Sequence, residues 1–249
     1  MFDLFRLDGK SALITGGASG IGEAAVRLFA DAAAQVTLVD LNESRGHEIA
    51  GEVKNVEVRR CDVTNEKEVE ELFASLSSLD ILVNCAGIGL VGTVEETSLD
   101  DFERLFRVNV RGTFLTIRAA LPLLRKSKGT VVNIGSVAGL VGVKRRFAYC
   151  ATKGAVTAMT RQLAVDYPQE IRANCIAPGT VDSPFVEAYL EKYHRHEKEK
   201  VRIELNERQP IGRMGRPDEV AGLALYMCSE AASFMNGSVV TLDGGWTAA

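Results

Sequence analysis

A glycine-rich turn between an apolar strand and an amphipathic helix constrains this chain more than any other stretch. Residues 11–15 have the apolar character of a buried strand, and residues 21–32 carry apolar side chains at helical spacing. Between them the chain reads Thr15-Gly16-Gly17-Ala18-Ser19-Gly20-Ile21-Gly22. Glycines in such a turn let the backbone approach a pyrophosphate, and the free amides at a helix start attract the anion. The turn therefore predicts a dinucleotide-binding unit of strand, turn and helix.

The same alternation of apolar runs and amphipathic segments continues along the chain. Strands are predicted at residues 11–15, 35–40, 56–60, 81–85, 130–136, 172–177 and 238–242. Helices are predicted at residues 21–32, 43–53, 66–77, 99–125, 148–167 and 218–229. Strands this apolar, joined by helical crossovers, indicate a parallel sheet that is covered on both faces. A chain of 249 residues without a linker-like segment is expected to form one α/β domain.

Composition argues against several other classes of protein. The net charge of −4 gives no reason to expect nucleic-acid binding. No apolar run reaches about 18 residues, so neither a membrane span nor a signal peptide is expected. The five cysteines are scattered and form no C-x-x-C pair, as is typical of free thiols in a cytoplasmic protein. His194 and His196 are two apart in a predicted helix and face different ways, so no metal site is expected.

An acidic residue closes the second predicted strand. Asp40 lies about 20 residues after the glycine turn, where a carboxylate can accept hydrogen bonds from the ribose of adenosine. The same carboxylate repels a 2′-phosphate, and neither Leu41 nor Asn42 supplies the cation that NADP would need. NAD is therefore the predicted cofactor, in preference to NADP.

Tyr149 and Lys153 are four residues apart in a predicted helix and so lie on one face, about one turn from each other. A free tyrosine titrates near pH ~10, and a neighbouring ammonium favours its phenolate. The pair can therefore accept or donate a proton near neutral pH. Because this spacing occurs in many helices, its interpretation depends on the motifs around it.

Together these motifs resemble the short-chain dehydrogenase/reductase family over essentially the whole chain. The matching positions are the turn at 15–22, Asn84-Cys85-Ala86-Gly87, Asn109, Ser136, Tyr149, Lys153 and Pro178-Gly179. The resemblance implies a single Rossmann-type, doubly wound domain over residues 1–249, with a seven-stranded parallel sheet and helices on both faces. It also implies a substrate lid at about residues 183–209. A homotetramer is implied as well, and apolar residues on several faces of the long helices, such as Val156, Met159 and Leu163, agree with that expectation.

The resemblance implies a role for each residue of the site. Tyr149 would take the proton from a secondary alcohol, while Lys153 would lower the Tyr149 pKa and bind the nicotinamide ribose. Ser136 would hold the reacting oxygen, with a helix cap as its alternative. Asn109 resembles a residue that holds a water in a proton relay, with a buried hydrogen bond to backbone as its alternative. The other implied cofactor contacts are Gly16, Ser19, Gly20, Ile21, Gly22, Asp40, Leu41, Asp62, Val63, Asn84, Ala86, Gly87, Pro178, Gly179, Thr180 and Val181.

Two arginines direct the prediction of the substrate. Arg146 precedes Tyr149 by three residues, and Arg208 ends the predicted lid. A guanidinium can grip a planar carboxylate with two parallel hydrogen bonds, and this placement also resembles the short-chain dehydrogenases that oxidise hydroxy acids and sugar acids. The sequence therefore predicts a small anionic substrate, with solvated surface arginines as the alternative.

Other functions stay open at this level. A neutral sugar or polyol dehydrogenase would share every motif, and so would a 3-oxoacyl or ketone reductase, although such reductases usually prefer NADPH. A non-catalytic dinucleotide-binding sensor would keep the fold without the chemistry. The intact Ser136, Tyr149 and Lys153 favour an enzyme.

Overall fold

Seven parallel strands form one sheet in the computed structural model, which describes residues 2–249. The strands are β1 (Ser11–Thr15), β2 (Gln35–Asp40), β3 (Val56–Arg60), β4 (Ile81–Asn84), β5 (Thr130–Ile134), β6 (Arg172–Pro178) and β7 (Val239–Leu242). Their order across the sheet is β3-β2-β1-β4-β5-β6-β7, and every neighbouring pair is parallel. The order reverses between β1 and β4, and ligands of such sheets bind in the crevice at the carboxyl ends of the strands at that point.

Helices cover both faces of the sheet, as the alternation of the sequence predicts. They are α1 (Gly20–Asp31), α2 (Glu43–Glu52), α3 (Glu66–Ala74), α4 (Leu99–Phe106), α5 (Thr113–Ser127), α6 (Phe147–Asp166), α7 (Pro184–Tyr193), α8 (Lys198–Glu207) and α9 (Pro217–Cys228). Successive strand side chains point to opposite faces, so Ile14 packs with α1 and α9 while its neighbour Leu13 packs with α3, α5 and α6. The predicted single α/β domain is confirmed. Within residues 2–249 no helix has the length and apolar character needed to cross a membrane.

The segment predicted as a helix over residues 99–125 is helical throughout but is not uniformly α-helical. Helices α4 and α5 are joined by a π-helical segment, Arg107–Gly112, which contains Asn109. The Asn109 side chain turns towards Ile88: its Oδ1 accepts from the backbone amide at 2.8 Å, and its Nδ2 donates to the backbone carbonyl at 2.9 Å. Asparagine is a weak interior helix residue because it finds such competing bonds, and the wider π turn accommodates it here. The predicted helix is therefore present, and its helical type changes at Asn109.

The charged run around His194 and His196 is not one helix either. Both histidines lie in the turn between α7 and α8, and His194 has a non-helical backbone with φ −140°. The His194 ring bonds Tyr189 Oη through Nε2 at 2.8 Å and Glu197 Oε1 through Nδ1 at 2.9 Å. The two helices are joined by a small apolar core of Val186, Leu190, Val201, Leu205 and Met214. The prediction of a helix through this run was wrong: α7 ends at Tyr193 and α8 begins at Lys198, and the non-helical backbone of His194 breaks the run between them.

A buried line of side-chain hydrogen bonds ties the sheet to α5 and α6. Thr116 Oγ1 donates to Asn84 Oδ1 at 2.8 Å, Asn84 Nδ2 donates to Asn133 Oδ1 at 2.9 Å, and Asn133 Nδ2 donates to Thr160 Oγ1 at 2.9 Å. Asn84 and Asn133 are direct neighbours in β4 and β5. We call these four residues the amide ladder. The resemblance implied that Asn84 contacts the cofactor. Its side-chain amide instead bonds Asn133 and Thr116 in the protein interior.

Candidate active site

A cleft of about 480 Å³ opens along the carboxyl ends of the strands. The glycine turn forms one wall and packs directly on the loop after β4. Gly16 has φ +67°, and a Cβ there would lie 2.8 Å from the backbone nitrogen of Ala86. A Cβ on Gly22 would lie 2.0 Å from the carbonyl oxygen of Gly16, so neither position accepts a side chain. The turn thus leaves bare backbone at a helix start, which fits a dinucleotide pyrophosphate. The predicted turn residues that line the cleft are Gly16, Ser19, Gly20, Ile21 and Gly22.

Asp40 lines the cleft at the end of β2, and two backbone amides fix its carboxylate. The amide of Ala18 donates to Oδ2 at 3.0 Å, and the amide of Asn42 donates to Oδ1 at 2.9 Å. Each oxygen keeps lone-pair capacity for a ribose hydroxyl. Leu41, also in the lining, is 56% exposed. Arg45, the first arginine after it, bonds Glu48 at 2.8 Å and Glu23 at 2.8 Å, so its charge is already compensated.

The far end of the cleft is formed by the loops that follow the other strands. Asp62 is held in a tight turn, since its Oδ1 accepts the amide of Thr64 at 2.8 Å. Cys85 also lies in the lining, where burial raises its pKa to about 12, so it stays a thiol at neutral pH. The remaining predicted cofactor residues found in the lining are Asp62, Val63, Ala86, Gly87, Pro178, Gly179, Thr180 and Val181. Asn84 is not among the residues of the lining.

Tyr149 and Lys153 lie next to each other on α6 and both line the cleft. The Lys153 Nζ is 5.8 Å from the centroid of the Tyr149 ring and donates to the carbonyl oxygen of Ile134 at 2.8 Å. Lys153 is only 8% exposed, so this bond anchors an ammonium inside the protein. The structure thus brings a fixed positive charge beside the phenol.

Ser136 follows β5, which ends at Ile134, two residues earlier than predicted. Ser136 Oγ accepts the amide of Ala138 at 3.1 Å and caps a short 3₁₀ helix, Val137–Gly139, while lining the cleft. The cap uses the hydroxyl as an acceptor and leaves its O–H free to donate. Ser136 therefore caps the turn and faces the cleft at once.

Asn109 lies behind the cleft, outside its lining. It is 1% exposed, and besides its bonds to Ile88 its Nδ2 donates to Thr152 Oγ1 at 3.2 Å. A Cβ on Gly87 would lie 3.3 Å from Asn109 Oδ1 and 3.7 Å from Lys153 Nζ. The Asn109 side chain therefore makes the buried backbone bonds that the sequence held as its alternative role, and it braces the Gly87 loop against α6.

Both predicted substrate arginines line the same cleft. The Arg146 Cζ lies 4.7 Å from the centroid of the Tyr189 ring, and Nη1 donates to the Leu90 carbonyl at 3.2 Å. The Arg208 Cζ lies 5.9 Å from the Trp246 ring. Across residues 2–249 neither guanidinium has a carboxylate within the 4.0 Å of an ion pair. Burial lowers the pKa of Arg146, and the nearby charge of Arg208 acts in the same direction. The cleft thus holds two uncompensated cations.

The sequence did not predict the largely aromatic wall that the two arginines contact. A Cβ on Gly89 would lie 2.5 Å from the Phe185 ring, which is 6.4 Å from the Tyr149 ring between centroids. Phe185 and Tyr189 share one face of α7 at a spacing of four, a signal that the charged residues around them obscured. The cleft residues contributed by this wall are Phe185, Val186, Tyr189 and Trp246.

Gln209 is a further residue that the sequence did not single out. It is 2% exposed; its Nε2 donates to the Leu205 carbonyl at 2.8 Å and its Oε1 accepts the amide of Thr180 at 3.4 Å. Gln209 thereby ties the end of α8 to the loop after β6. Among the described residues, no cluster of three or more His, Cys, Asp or Glu side chains could hold a metal ion.

Comparison with known proteins agrees with this architecture. The sequence model of the enoyl-(acyl carrier protein) reductase family matches residues 16–247. The chain is 40% identical over 246 residues to an L-fucose dehydrogenase of Mus musculus, covering 96% of this chain and 89% of that protein. It is 36% identical over 245 residues to dehydrogenase/reductase SDR family member 6 of Rattus norvegicus, covering 97% and 99%. The ligand-free aldohexose dehydrogenase of Thermoplasma acidophilum superposes with a TM-score of 0.88 at 32% identity, covering 98% and 96%.

Proposed function

Because the chain belongs to the short-chain dehydrogenase/reductase family, we propose that it is an NAD-linked sugar dehydrogenase. Like the dehydrogenases that it resembles, it is an oxidoreductase that acts on CH–OH groups. The observation that carries the proposal is the grouping of Ser136, Tyr149 and the buried Lys153 in one cleft that also holds the glycine turn. A sugar is favoured because an L-fucose dehydrogenase and an aldohexose dehydrogenase are among the similar proteins.

The chain's own residues supply binding and proton transfer in this proposal. A bound nicotinamide dinucleotide supplies the hydride acceptor. The glycine turn and Asp40 hold its pyrophosphate and adenosine ribose. The Ser136 hydroxyl donates to the reacting oxygen of the substrate, and Tyr149 Oη takes the proton of the alcohol. Lys153, anchored on Ile134, stabilises the negative charge that develops on these oxygens.

We expect Asp40→Ala to lower the preference for NAD over NADP by about tenfold or more, roughly 1.4 kcal/mol. The reason is that the carboxylate both accepts ribose hydroxyls and repels a 2′-phosphate. The measurement is the ratio of kcat/KM for the two cofactors. Glu43→Ala, which removes an exposed charge at the start of α2, is the matched control and should leave the ratio unchanged. An unchanged ratio in Asp40→Ala would mean that Asp40 does not read the ribose.

A second candidate substrate class is a hydroxy acid or sugar acid. It is favoured by the two arginines of the cleft, since neither has a carboxylate partner among the described residues. A bidentate contact with a substrate carboxylate would compensate them, although Arg208 is exposed to solvent. A reductase reading is weaker, because Asp40 disfavours NADPH.

A paired substrate screen decides between the two classes. L-Fucose and D-glucose are compared with D-gluconate and 3-hydroxybutyrate, each with NAD and with NADP, by the absorbance of the reduced nicotinamide. Turnover of the sugars alone supports the sugar dehydrogenase. Turnover of the acids with a KM much lower than that for the sugars supports a hydroxy-acid or sugar-acid dehydrogenase. No turnover with any of the four would contradict both.

We expect Arg146→Met and Arg208→Met each to raise KM for an acid by about 10- to 100-fold, equivalent to about 1.5–3 kcal/mol for a lost charged hydrogen bond. The KM for NAD should change little. Arg145→Met is the control, because Arg145 is an exposed neighbour that pairs with Glu96 at 2.9 Å. Unchanged acid kinetics in both variants would remove the arginines from substrate binding.

A homotetramer and a cytoplasmic location are further parts of the proposal. Val156 and Leu163, which suggested the tetramer in the sequence, are buried within the subunit and do not support it. Support comes instead from Phe114, Phe147 and Val165, apolar residues of α5 and α6 that are 46%, 52% and 72% exposed. We expect light scattering at micromolar concentration to give four times the subunit mass. A monomer mass would contradict the tetramer.

A further inference from the structure

We propose that Tyr189 is a positioning residue that holds Arg146 in the cleft for a substrate carboxylate, and that His194 fixes Tyr189 in turn. The inference rests on the second candidate of the proposed function, an anionic substrate. It assigns a task to three side chains of α7 and its following turn: Tyr189, His194 and Glu197.

Two contacts hold Arg146 in the cleft. Its guanidinium lies over the Tyr189 ring at 4.7 Å from the centroid, and only Nη1 is used, towards the Leu90 carbonyl. A stacked ring attracts the cation through its face and takes none of the N–H donors, which lie in the guanidinium plane. By contrast, Arg145 and Arg202 on the surface are bonded to carboxylates at 2.9 and 3.0 Å. Arg146 is therefore held in place with most of its donors free.

The turn between α7 and α8 holds the Tyr189 side chain in turn. Its hydroxyl bonds His194 Nε2 at 2.8 Å, and the two rings meet edge to face with centroids 5.1 Å apart. His194 Nδ1 bonds Glu197 Oε1 at 2.9 Å, which sets the orientation of the imidazole. The bond engages the tip of the tyrosine and leaves the ring face to Arg146. The turn between α7 and α8 thus fixes the plane on which Arg146 rests.

The fixed position of Arg146 should lower the entropic cost of binding a carboxylate. A free arginine side chain samples many rotamers, and a ligand must order it. Here the Leu90 carbonyl and the Tyr189 face order it before a ligand arrives, which is preorganisation of a binding group. Removing the ring should therefore weaken the binding of a carboxylate more than the binding of a neutral sugar.

The test compares Tyr189→Leu, which removes the ring, with Tyr189→Phe, which keeps it. We expect Tyr189→Leu to raise KM for D-gluconate or 3-hydroxybutyrate by about tenfold. Tyr189→Phe and His194→Gln should raise it by less. In Tyr189→Leu the rise in KM for L-fucose should be several-fold smaller than the rise for the acid, and His194→Gln, outside the cleft lining, should leave kcat and the KM for L-fucose and NAD nearly unchanged. In an Arg146→Met background, Tyr189→Leu should have no additional effect on the acid, because the group that it positions is gone.

Two kinetic results would overturn the proposal. One is an unchanged KM for the acids in Tyr189→Leu; the other is an equal rise for acids and L-fucose, which would make Tyr189 a plain part of the wall. If the wild type oxidises neither acid, this inference is decided by binding instead of KM; if it oxidises neither sugar as well, the proposed function also fails. Quenching of Trp246, the only tryptophan of the chain, then reports D-gluconate binding to the NAD complex. No binding to the wild type, or equal binding to Tyr189→Leu, would overturn it.

Discussion

Tyr149→Phe should lower kcat/KM for the alcohol by about 10²–10⁴-fold, the usual contribution of general acid–base catalysis. The substitution keeps the ring beside Lys153 and Phe185 and removes only the oxygen that takes the proton. The affinity for NAD should stay within a few-fold, because the glycine turn and Asp40 are untouched. The measurements are steady-state rates by nicotinamide absorbance and NAD titration of the same preparation.

Tyr167→Phe is the matched control for this prediction. Tyr167 directly follows α6, with Arg125 over its ring at 5.7 Å, and it is outside the cleft lining. This variant should have wild-type kinetics. Near-normal turnover of Tyr149→Phe would remove Tyr149 as the proton acceptor. A parallel loss in both tyrosine variants would indicate damage to the helix instead.

Gly22→Ala is the second substitution for which we expect a large effect. Helix propensity alone would favour alanine by about 1 kcal/mol. The added Cβ, however, would lie 2.0 Å from the carbonyl oxygen of Gly16, a contact that only a backbone shift can relieve. Overpacking of this kind costs about 1–3 kcal/mol. We therefore expect a net loss in the free energy of unfolding and a hundredfold or greater weakening of NAD binding, because the turn that shifts is the one that receives the pyrophosphate.

Gly222→Ala provides the control, since Gly222 also lies inside a helix, α9. A Cβ there meets nothing within 4 Å. The Gly222→Ala variant should therefore have a free energy of unfolding that is higher by up to about 1 kcal/mol, and its NAD binding should be unchanged. Thermal denaturation and NAD titration measure both quantities. If Gly22→Ala were as stable as Gly222→Ala and bound NAD equally well, the close packing of the turn would not matter.

Most of the fold could be predicted because its signals are local. Apolar runs bounded by turns place the strands, and the predicted single domain with a seven-stranded parallel sheet is confirmed. The departures fall where a side chain makes a contact that periodicity does not record. Asn109 bonds to Ile88, 21 residues away, from inside a π-helical stretch. His194 bridges Tyr189 and Glu197 in the turn between α7 and α8.

The candidate site divides in a similar way. Residues that follow a strand or start a helix, such as Asp40 and Ser136, lie where their position along the chain predicts, because the carboxyl ends of parallel strands share one edge. Tyr189 and Trp246 come from segments whose meeting depends on tertiary packing. No spacing in the sequence records that packing. Asn84 also lies at the end of a strand, yet its side chain points into the core and is not part of the cleft lining. A strand-end position alone therefore does not decide between the two.

The hydrogen bonds of the amide ladder all run in one direction, so substitutions at its four positions are coupled. Thr116 donates to Asn84, Asn84 to Asn133, Asn133 to Thr160, and Thr160 onward to the Val156 carbonyl. Loss of any one member leaves a buried donor or acceptor without its partner, which costs about 1–3 kcal/mol, whereas joint replacement by apolar groups can be nearly neutral. These four positions are therefore expected to change together during divergence, or not at all. Apolar cleft residues such as Phe185 share no side-chain hydrogen bonds with the ladder, so they can change with the substrate while the four ladder positions stay the same.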